Sequence, residues 1–465
     1  MGAQLTGMDH TDTDTETEAE DVDGRRAPLA ARRVLTSWWP LAGSWILMGL
    51  EGPAISAVVS RLVDPTINLA AFGGVVFPLA LLVEAPIIMM LAASTALSRD
   101  WDSYLKLRRF MNRLGFSLTL IHLIIVATPV YFFLARDLIH APEEIIGPAR
   151  LGLLIMLPWT WAIAYRRFHQ GVLIRFGHSL KVGLGTMVRL VADGTVLSLG
   201  FFLGWRGIIA ATSALSAGVL MEALYVHLTV RPTLKHELRP SPPAPQPLTT
   251  RAMLDFYIPL SLTQLLLLIA SPLGSAAMSR MPLALESLAA WPVVAGVSFI
   301  TRGFGGAYNE VVVTYIERPY TTSTLRRVAW MLIVASSLLL LVLLVPPVAS
   351  AVFGGLFDLK DPLPHMAWVS LFLMLPVPAL TVVQSYFQGV ILNSRHTRSI
   401  SESVAIFIVV VGATLFAGVL WGVFTGLYVA VGAWTLGELI RTLWLWLRSR
   451  SARETLRVRD SLPSD

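Results

Sequence analysis

The sequence predicts an all-α polytopic membrane protein, with twelve transmembrane helices arranged as two six-helix bundles related in parallel. Three observations lead there. The chain is 55% hydrophobic and only 14% charged over 465 residues, where a water-soluble domain carries about 25% charged residues. A surface that poor in charge has lipid, not water, as its solvent. No stretch alternates with period two for long, and open sheet edges cannot face hydrocarbon, so the spans are helices. The third observation is an internal echo. Residues 53–61 read PAISAVVSR and residues 272–280 read PLGSAAMSR, 219 positions later, with Pro, Ser, Ala, Ser and Arg shared. Leu69-Ala70-Ala71 returns as Leu288-Ala289-Ala290 at the same offset. Further on, Leu157-Pro158, Gln170-Gly171-Val172 and His178 return as Leu375-Pro376, Gln388-Gly389-Val390 and His396 at an offset of 218. A repeat of this period reads as two copies of one unit.

A helix needs about 20 apolar residues to cross a bilayer, and the spans follow in order. In the first copy they are 36–59, holding Pro40, Glu51 and Pro53; 69–97, with Gly73-Gly74, Glu84 and Pro86; 114–134; the short 151–165, with Pro158; 182–203, with Arg189 and Asp193; and 207–230, with Glu222. In the second copy they are 254–278, with Pro259 and Pro272; 288–313, with Arg302 among Gly303, Gly305 and Gly306; 328–353; 366–392, with Pro376 and Pro378; 404–420; and 421–447, parted from the previous one only by a weak loop signal at 418–422. Proline removes a backbone donor and bends a helix, and glycine lets helices approach closely.

Between the copies, residues 231–250 contain RPSPPAPQP, an extended spacer. The domain reading is thus a polar tail (1–34), a first bundle (35–230), this linker (231–250), a second bundle (251–447) and a basic tail (448–465). The first tail is acidic over 9–23 (TDTDTETEAED within it) and then basic, a composition that stays disordered. No secretory signal peptide is expected.

Most of the 36 lysines and arginines fall on alternate loops: around 99–113, at Arg166, Arg167, Arg175 and Lys181, through the linker, at Arg318, Arg326 and Arg327, at Arg395 and Arg398, and in the last tail. The other loops hold Arg61, Arg136, Arg150, Arg206, Arg280 and Lys360. This bias predicts a multi-pass protein of the cytoplasmic (inner) membrane with both termini in the cytoplasm. It also explains the net charge of +6 without nucleic acid. An even number of spans per copy gives both copies one orientation, with the interface between them as the place for a substrate.

Charges within hydrocarbon cost roughly 3 kcal/mol or more and mark candidate sites. Here they are Glu51, Glu84, Arg189, Asp193, Glu222, Arg302 and Glu438, with His122 a weaker addition. Arg189 and Asp193 stand four apart, on one helix face. They read either as a self-neutralising pair or as a pair that answers to a proton or a substrate. Glu51 lies between Gly49 and Gly52, with Pro53 next, and is a candidate proton acceptor; Glu84, two residues before Pro86, follows the same logic. Glu222 and Glu438 fall toward span ends and read as groups that snorkel or pair with a nearby cation. Arg302 reads as an anion contact or an interface anchor.

Chemistry of other kinds is not indicated. The chain has no cysteine, hence no disulfide or thiolate metal site, and no metal site is expected. It lacks the G-x-x-x-x-G-K-[ST] and H-E-x-x-H patterns, so neither an ATP-driven pump nor an enzyme is expected.

The WWPL of residues 38–41, the MLDFYIPL of 253–260 and LPVPALTVVQSYFQGVIL of 375–392 resemble segments of the ankylosis protein family. The layout as a whole resembles the MOP superfamily, which also holds MATE multidrug exporters and lipid-linked oligosaccharide flippases. The resemblance implies a MATE/MOP-like fold and a substrate or proton site in the first bundle at Glu51, Arg189, Asp193 and Thr212. Arg189 stands where relatives place a neutral ligand; a fixed guanidinium there repels sodium. That favours proton coupling, or export of an anionic metabolite as the ankylosis resemblance implies.

The expectation is a secondary active transporter, an antiporter or efflux protein working by alternating access. It would be driven by a proton gradient in preference to sodium, and would move a small organic solute, the anionic class included. Its candidate residues are Glu51, Arg189, Asp193, Glu84, Thr212 and Arg302. Its partners would be the lipid bilayer and a small-molecule solute, with a monomeric chain and no cofactor. The alternatives are a flippase for a lipid-linked substrate, and a non-transporting scaffold or receptor that recruits a partner through the acidic tail.

Overall fold

The computed structural model describes residues 30–394 and 398–461. The acidic segment 9–23, Arg25, Arg26, Arg395 and the His396 echo lie outside the described residues. Among the described residues there is no strand.

Among the described residues six long helices form the first copy: α1, Ala31–Val59; α2, Pro65–Leu97, with a π-turn at Phe72–Val76; α3, Trp101–Ala127; α4, which is Glu143–Ile155 and Leu157–Arg175 bent by 43°; α5, Ser179–Phe202; and α6, Gly207–Leu238. The second copy repeats them: α7, Thr250–Met278; α8, Ala284–Tyr315; α9, Thr322–Leu344; α10, Leu363–Asn393; α11, Arg398–Trp421; and α12, Gly426–Arg448. Among the described residues ten helices are long and apolar enough to cross a membrane, or eleven when bent α4 counts as one span. The twelfth expected span corresponds to α12, whose 23 residues include Glu438, Arg441 and Arg448 and so fall outside that apolar class. The bend in α4 comes at Leu157-Pro158, because Pro158 cannot donate to the preceding turn.

Several boundaries differ from the expectation, the linker's start among them, because α6 runs on to Leu238. Helix α1 starts at Ala31, so Arg32 and Arg33 belong to its first turn and not to the tail. The last tail contains α13, Arg450–Ser461. Asp460 on α13 accepts the backbone N–H of Tyr320 at 3.0 Å and of Thr322 at 3.2 Å, together with the Thr322 hydroxyl, and so caps α9.

The duplication is visible in matched bonds. Asn68 Oδ1 accepts the Ile208 N–H at 3.0 Å; Ser287 Oγ accepts the Leu427 N–H at 3.1 Å. All four positions correspond at an offset of 219. The left-handed residues pair in the same way: Asp64 (φ 50°) with Leu283 (φ 56°), and His140 (φ 59°) with Asp358 (φ 47°). Arg61 donates across to the Gly355 carbonyl at 2.8 Å, and Arg280 donates back to the carbonyls of Leu138 at 2.8 Å and Ile139 at 3.2 Å. Reciprocal clasps on one face of the molecule require both copies to run the same way, as parallel-related bundles do.

The copies also exchange helix contacts. Helix α1 lies along α8: Trp38 Nε1 donates to the Phe304 carbonyl at 3.0 Å, Ser37 meets the Tyr315 hydroxyl at 2.7 Å, and Pro53 rests on Gly296. Helix α7 lies along α2, where the hydroxyl of Tyr257 donates to the Pro86 carbonyl. At the centre Gly73 lies against Pro292, its own counterpart; a Cβ on Gly73 would stand 2.6 Å from Pro292 Cδ. In a bilayer, where apolar burial does not drive helices together, such close approach of small residues carries the packing.

Candidate functional site

The charged groups of the first copy collect where α1, α2, α4, α5 and α6 meet. On α5, Arg189 donates from Nε to Glu51 Oε1 of α1 at 2.9 Å and from Nη2 to Glu51 Oε2. This fork-to-fork pairing fixes both groups in orientation. Asp193, one turn along α5 and 4% exposed, stands 3.9 Å from Arg189 Nε, beyond hydrogen-bond distance. Neither of its carboxylate oxygens has an N–H or O–H donor among the described residues. Its close neighbour is the Glu51 carboxyl. Helix α6 makes room for Asp193 with Gly218, since a Cβ there would collide with the carboxylate.

A second, tighter group adjoins the first. Glu222 of α6, fully buried, accepts Arg166 Nη1 at 2.7 Å and Gln170 Nε2 at 2.8 Å, both from α4. Glu84 of α2, 5% exposed, has Arg167, Arg166 and Arg189 as its cationic neighbours. Four carboxylates, Glu51, Glu84, Asp193 and Glu222, thus interact with three guanidiniums, Arg166, Arg167 and Arg189. Among the described residues no group of three or more His, Cys, Asp or Glu is arranged to hold a metal ion.

The sequence-derived residues fall unevenly on this cluster. Glu51, Arg189, Asp193 and Glu84 come together. Thr212 does not: it is buried on α6, but its hydroxyl donates to its own helix at the Ile208 carbonyl, 2.7 Å away. The part of α6 that reaches Asp193 is Gly218, more than a turn further on. Arg302 lies in the second copy, 3.2 Å from Glu438 Oε1. Arg166 and Arg167, assigned to a loop by the sequence, sit inside Leu157–Arg175. Glu222 does not snorkel; it is held by Arg166. Its partners lie 52 and 56 positions away in sequence, a separation no local pattern reveals. His122 is buried, with Nδ1 3.0 Å from the Thr160 hydroxyl. Of the two glycines flanking Glu51, Gly49 lies against Phe299 and Ile300 of α8, whereas the space beside Gly52 is open.

No protein-family model matches the chain, and no curated protein matches it by sequence. Solved structures do. A lipid II flippase, MurJ, in an inward closed conformation superposes with a TM-score of 0.68 at 14% identity, over 91% of this chain and 93% of that one. The chain has the MOP-superfamily fold. An inward-facing multidrug resistance MATE family transporter of that superfamily matches with a TM-score of 0.62 at 14% identity, over 89% of this chain and 96% of that one. A MOP superfamily transporter from Pyrococcus furiosus, for which reversed polarity of the binding pocket is taken to suggest a different function, matches with a TM-score of 0.59 at 16% identity, over 91% and 96%. Identities this low establish the MOP fold; the charged residues of the first bundle are read from this chain alone.

Proposed function

We propose that this chain is a MOP-type secondary active transporter. It exchanges a small organic solute for protons by alternating access across the cytoplasmic membrane, with both termini in the cytoplasm. The observation that carries the coupling is the Glu51–Arg189–Asp193 arrangement. Two carboxyls compete for one guanidinium, and the one left without it has no fixed donor. A proton is the smallest way to neutralise that carboxyl in a buried site.

The mechanism follows from which helix bears each group. Helix α1 rests on α8 of the second copy while its Glu51 holds Arg189 of the first. With the proton on the Asp193 side, Arg189 stays with Glu51 and α1 is tied to α5. With the proton on Glu51, the guanidinium swings one turn to Asp193 and α1 is released. Solute and proton then act by favouring different states of one equilibrium. Arg189, bonded to Glu51, puts a fixed positive charge in the site, which supports protons over sodium.

A flippase reading calls for an excess of positive charge. The first-bundle cluster has four acids to three bases, and Glu438 with Arg302 and Arg441 in the second brings the two clusters to five of each, so there is no such excess. The transporter reading is tested in proteoliposomes loaded with a mixture of small metabolites, followed by mass spectrometry. An imposed pH gradient should drive exchange of at least one solute and Glu51→Gln should abolish the pH dependence. Equal exchange with and without the gradient would rule out proton coupling.

A further inference from the structure

The second bundle holds a buried charge cluster that the coupling mechanism leaves unused. Arg302 of α8 donates from Nη2 to Glu438 Oε1 of α12 at 3.2 Å, and Gln384 of α10 donates to Glu438 Oε2 at 2.8 Å. Arg441 Nη1 stands 3.6 Å from the same Oε2. One carboxylate, 1% exposed, therefore serves two guanidiniums with five N–H donors each. The Nε–H groups of Arg302 and Arg441 are buried and have no acceptor among the described residues. The indole N–H of Trp434, whose ring lies 5.5 Å from the Arg302 guanidinium carbon, has none either.

The two copies are thus opposite in polarity. Acids outnumber bases in the first, where Asp193 goes without a donor, although the Nε–H groups of Arg166 and Arg167 there also lack acceptors among the described residues. Bases outnumber acids in the second and leave donors unmet. The reversal is visible position by position: Arg441 stands where the first copy has Glu222, 219 residues earlier. Phe407 and Val411 stand where it has Arg189 and Asp193, 218 residues earlier, and they pack on Gly437 as Asp193 packs on Gly218. The second copy has no room for a proton-sharing pair and has a surplus of cationic donors instead.

We propose that Arg302 and Arg441 form an oxyanion subsite, in which a carboxylate or phosphate group of the transported solute takes Arg302 from Glu438. This rests on the transporter reading and adds the class of solute. Arg302 is the reachable arm, with 28% of its side chain exposed against 15% for Arg441. Glu438 is the built-in competitor: it keeps Gln384 and Arg441 when Arg302 turns to the solute. Binding therefore exchanges one charge-assisted bond for another and buries no net charge alone.

The test uses the full chain in nanodiscs of neutral phospholipid, titrated separately with citrate and inorganic phosphate, and a second preparation in nanodiscs containing an anionic phospholipid. Thermal unfolding and tryptophan fluorescence are read in parallel. At least one oxyanion should raise the unfolding midpoint. Arg302→Gln should weaken that binding by about tenfold or more, the size expected for one charge-assisted hydrogen bond. Glu438→Gln should strengthen it, because the competitor loses its charge; a merely structural pair would give no such gain. Trp434→Phe should remove the fluorescence change while leaving the midpoint shift. Arg136→Gln, at an exposed pair with Glu143, should change nothing. A response confined to the anionic-lipid preparation and lost in Arg302→Gln assigns the oxyanion to a lipid headgroup. No response to any of the three, or wild-type binding in Arg302→Gln, overturns the subsite. Loss of oxyanion binding with pH-driven exchange intact refutes the subsite alone; oxyanion binding without pH-driven exchange refutes the coupling alone.

Discussion

Arg189 reaches across 138 positions of sequence to grip Glu51 with both sides of its guanidinium, and leaves Asp193, on its own helix, without a donor. The sequence spacing suggests the opposite pairing, of Arg189 with Asp193. The difference lies in geometry: a fork-to-fork bond outweighs a 3.9 Å approach through Nε. The alternative pairing remains one side-chain swing away, which is what a two-state site needs.

Gly218 is the first place to disturb this site without touching a charge. Gly218→Ala drives a methyl into the Asp193 carboxylate and should cost about 1–3 kcal/mol of stability by overpacking, with loss of pH-driven exchange. Gly437→Ala meets Val411 Cγ2 at 2.8 Å and should cost a similar amount while leaving pH dependence intact. Thermal unfolding and exchange measured on both variants separate packing from coupling.

Glu222 anchors the cluster and does not switch. It accepts two side chains at hydrogen-bond distance, so removing one partner leaves a buried charge unpaired. Arg166→Ala should destabilise the protein by about 3–5 kcal/mol, seen as a large drop in the unfolding midpoint. Glu222→Gln, which keeps a polar group facing Gln170, should cost less.

The linker is held by a carboxylate outside the membrane. Asp100 accepts the N–H of Ser103 at 2.8 Å, capping α3, and the N–H of Ala244 at 2.7 Å. Burial pushes its carboxyl up, but the bonds from Ala244 and Ser103 together outweigh that and hold it below the ordinary value of 3.8. A lowered folded value means the stabilisation is present above the ordinary value and is lost as pH falls through the folded one. Limited proteolysis between α6 and α7, at 239–249, should accelerate below about pH 3.8. Asp100→Ala should give the same acceleration at neutral pH, through loss of about 1 kcal/mol of capping.

Much of this architecture is legible in the chain. The 53–61 and 272–280 echo foretells the clasps of Arg61 and Arg280, because a repeated sequence folds to a repeated turn. Charges inside apolar runs point to Glu51, Glu84, Arg189 and Asp193. What stays hidden is anything set by helix length or by packing between distant segments. Helix α4 runs on past its apolar stretch, so Arg166 and Arg167 look like loop residues until the helix carries them into the core. Thr212 is reached by resemblance alone, and its hydroxyl bonds back to its own helix. The opposite polarity of the two copies becomes visible only when matched positions are compared in space.

The central claim is that Glu51 and Asp193 hold one proton between them beside Arg189. Infrared difference spectroscopy of the full chain in lipid reads this directly, through the stretching band of a protonated carboxyl. The account predicts such a band at neutral pH, shifted in heavy water and missing from both Asp193→Asn and Glu51→Gln. A spectrum with no such band, or with a band unchanged in both variants, would contradict it.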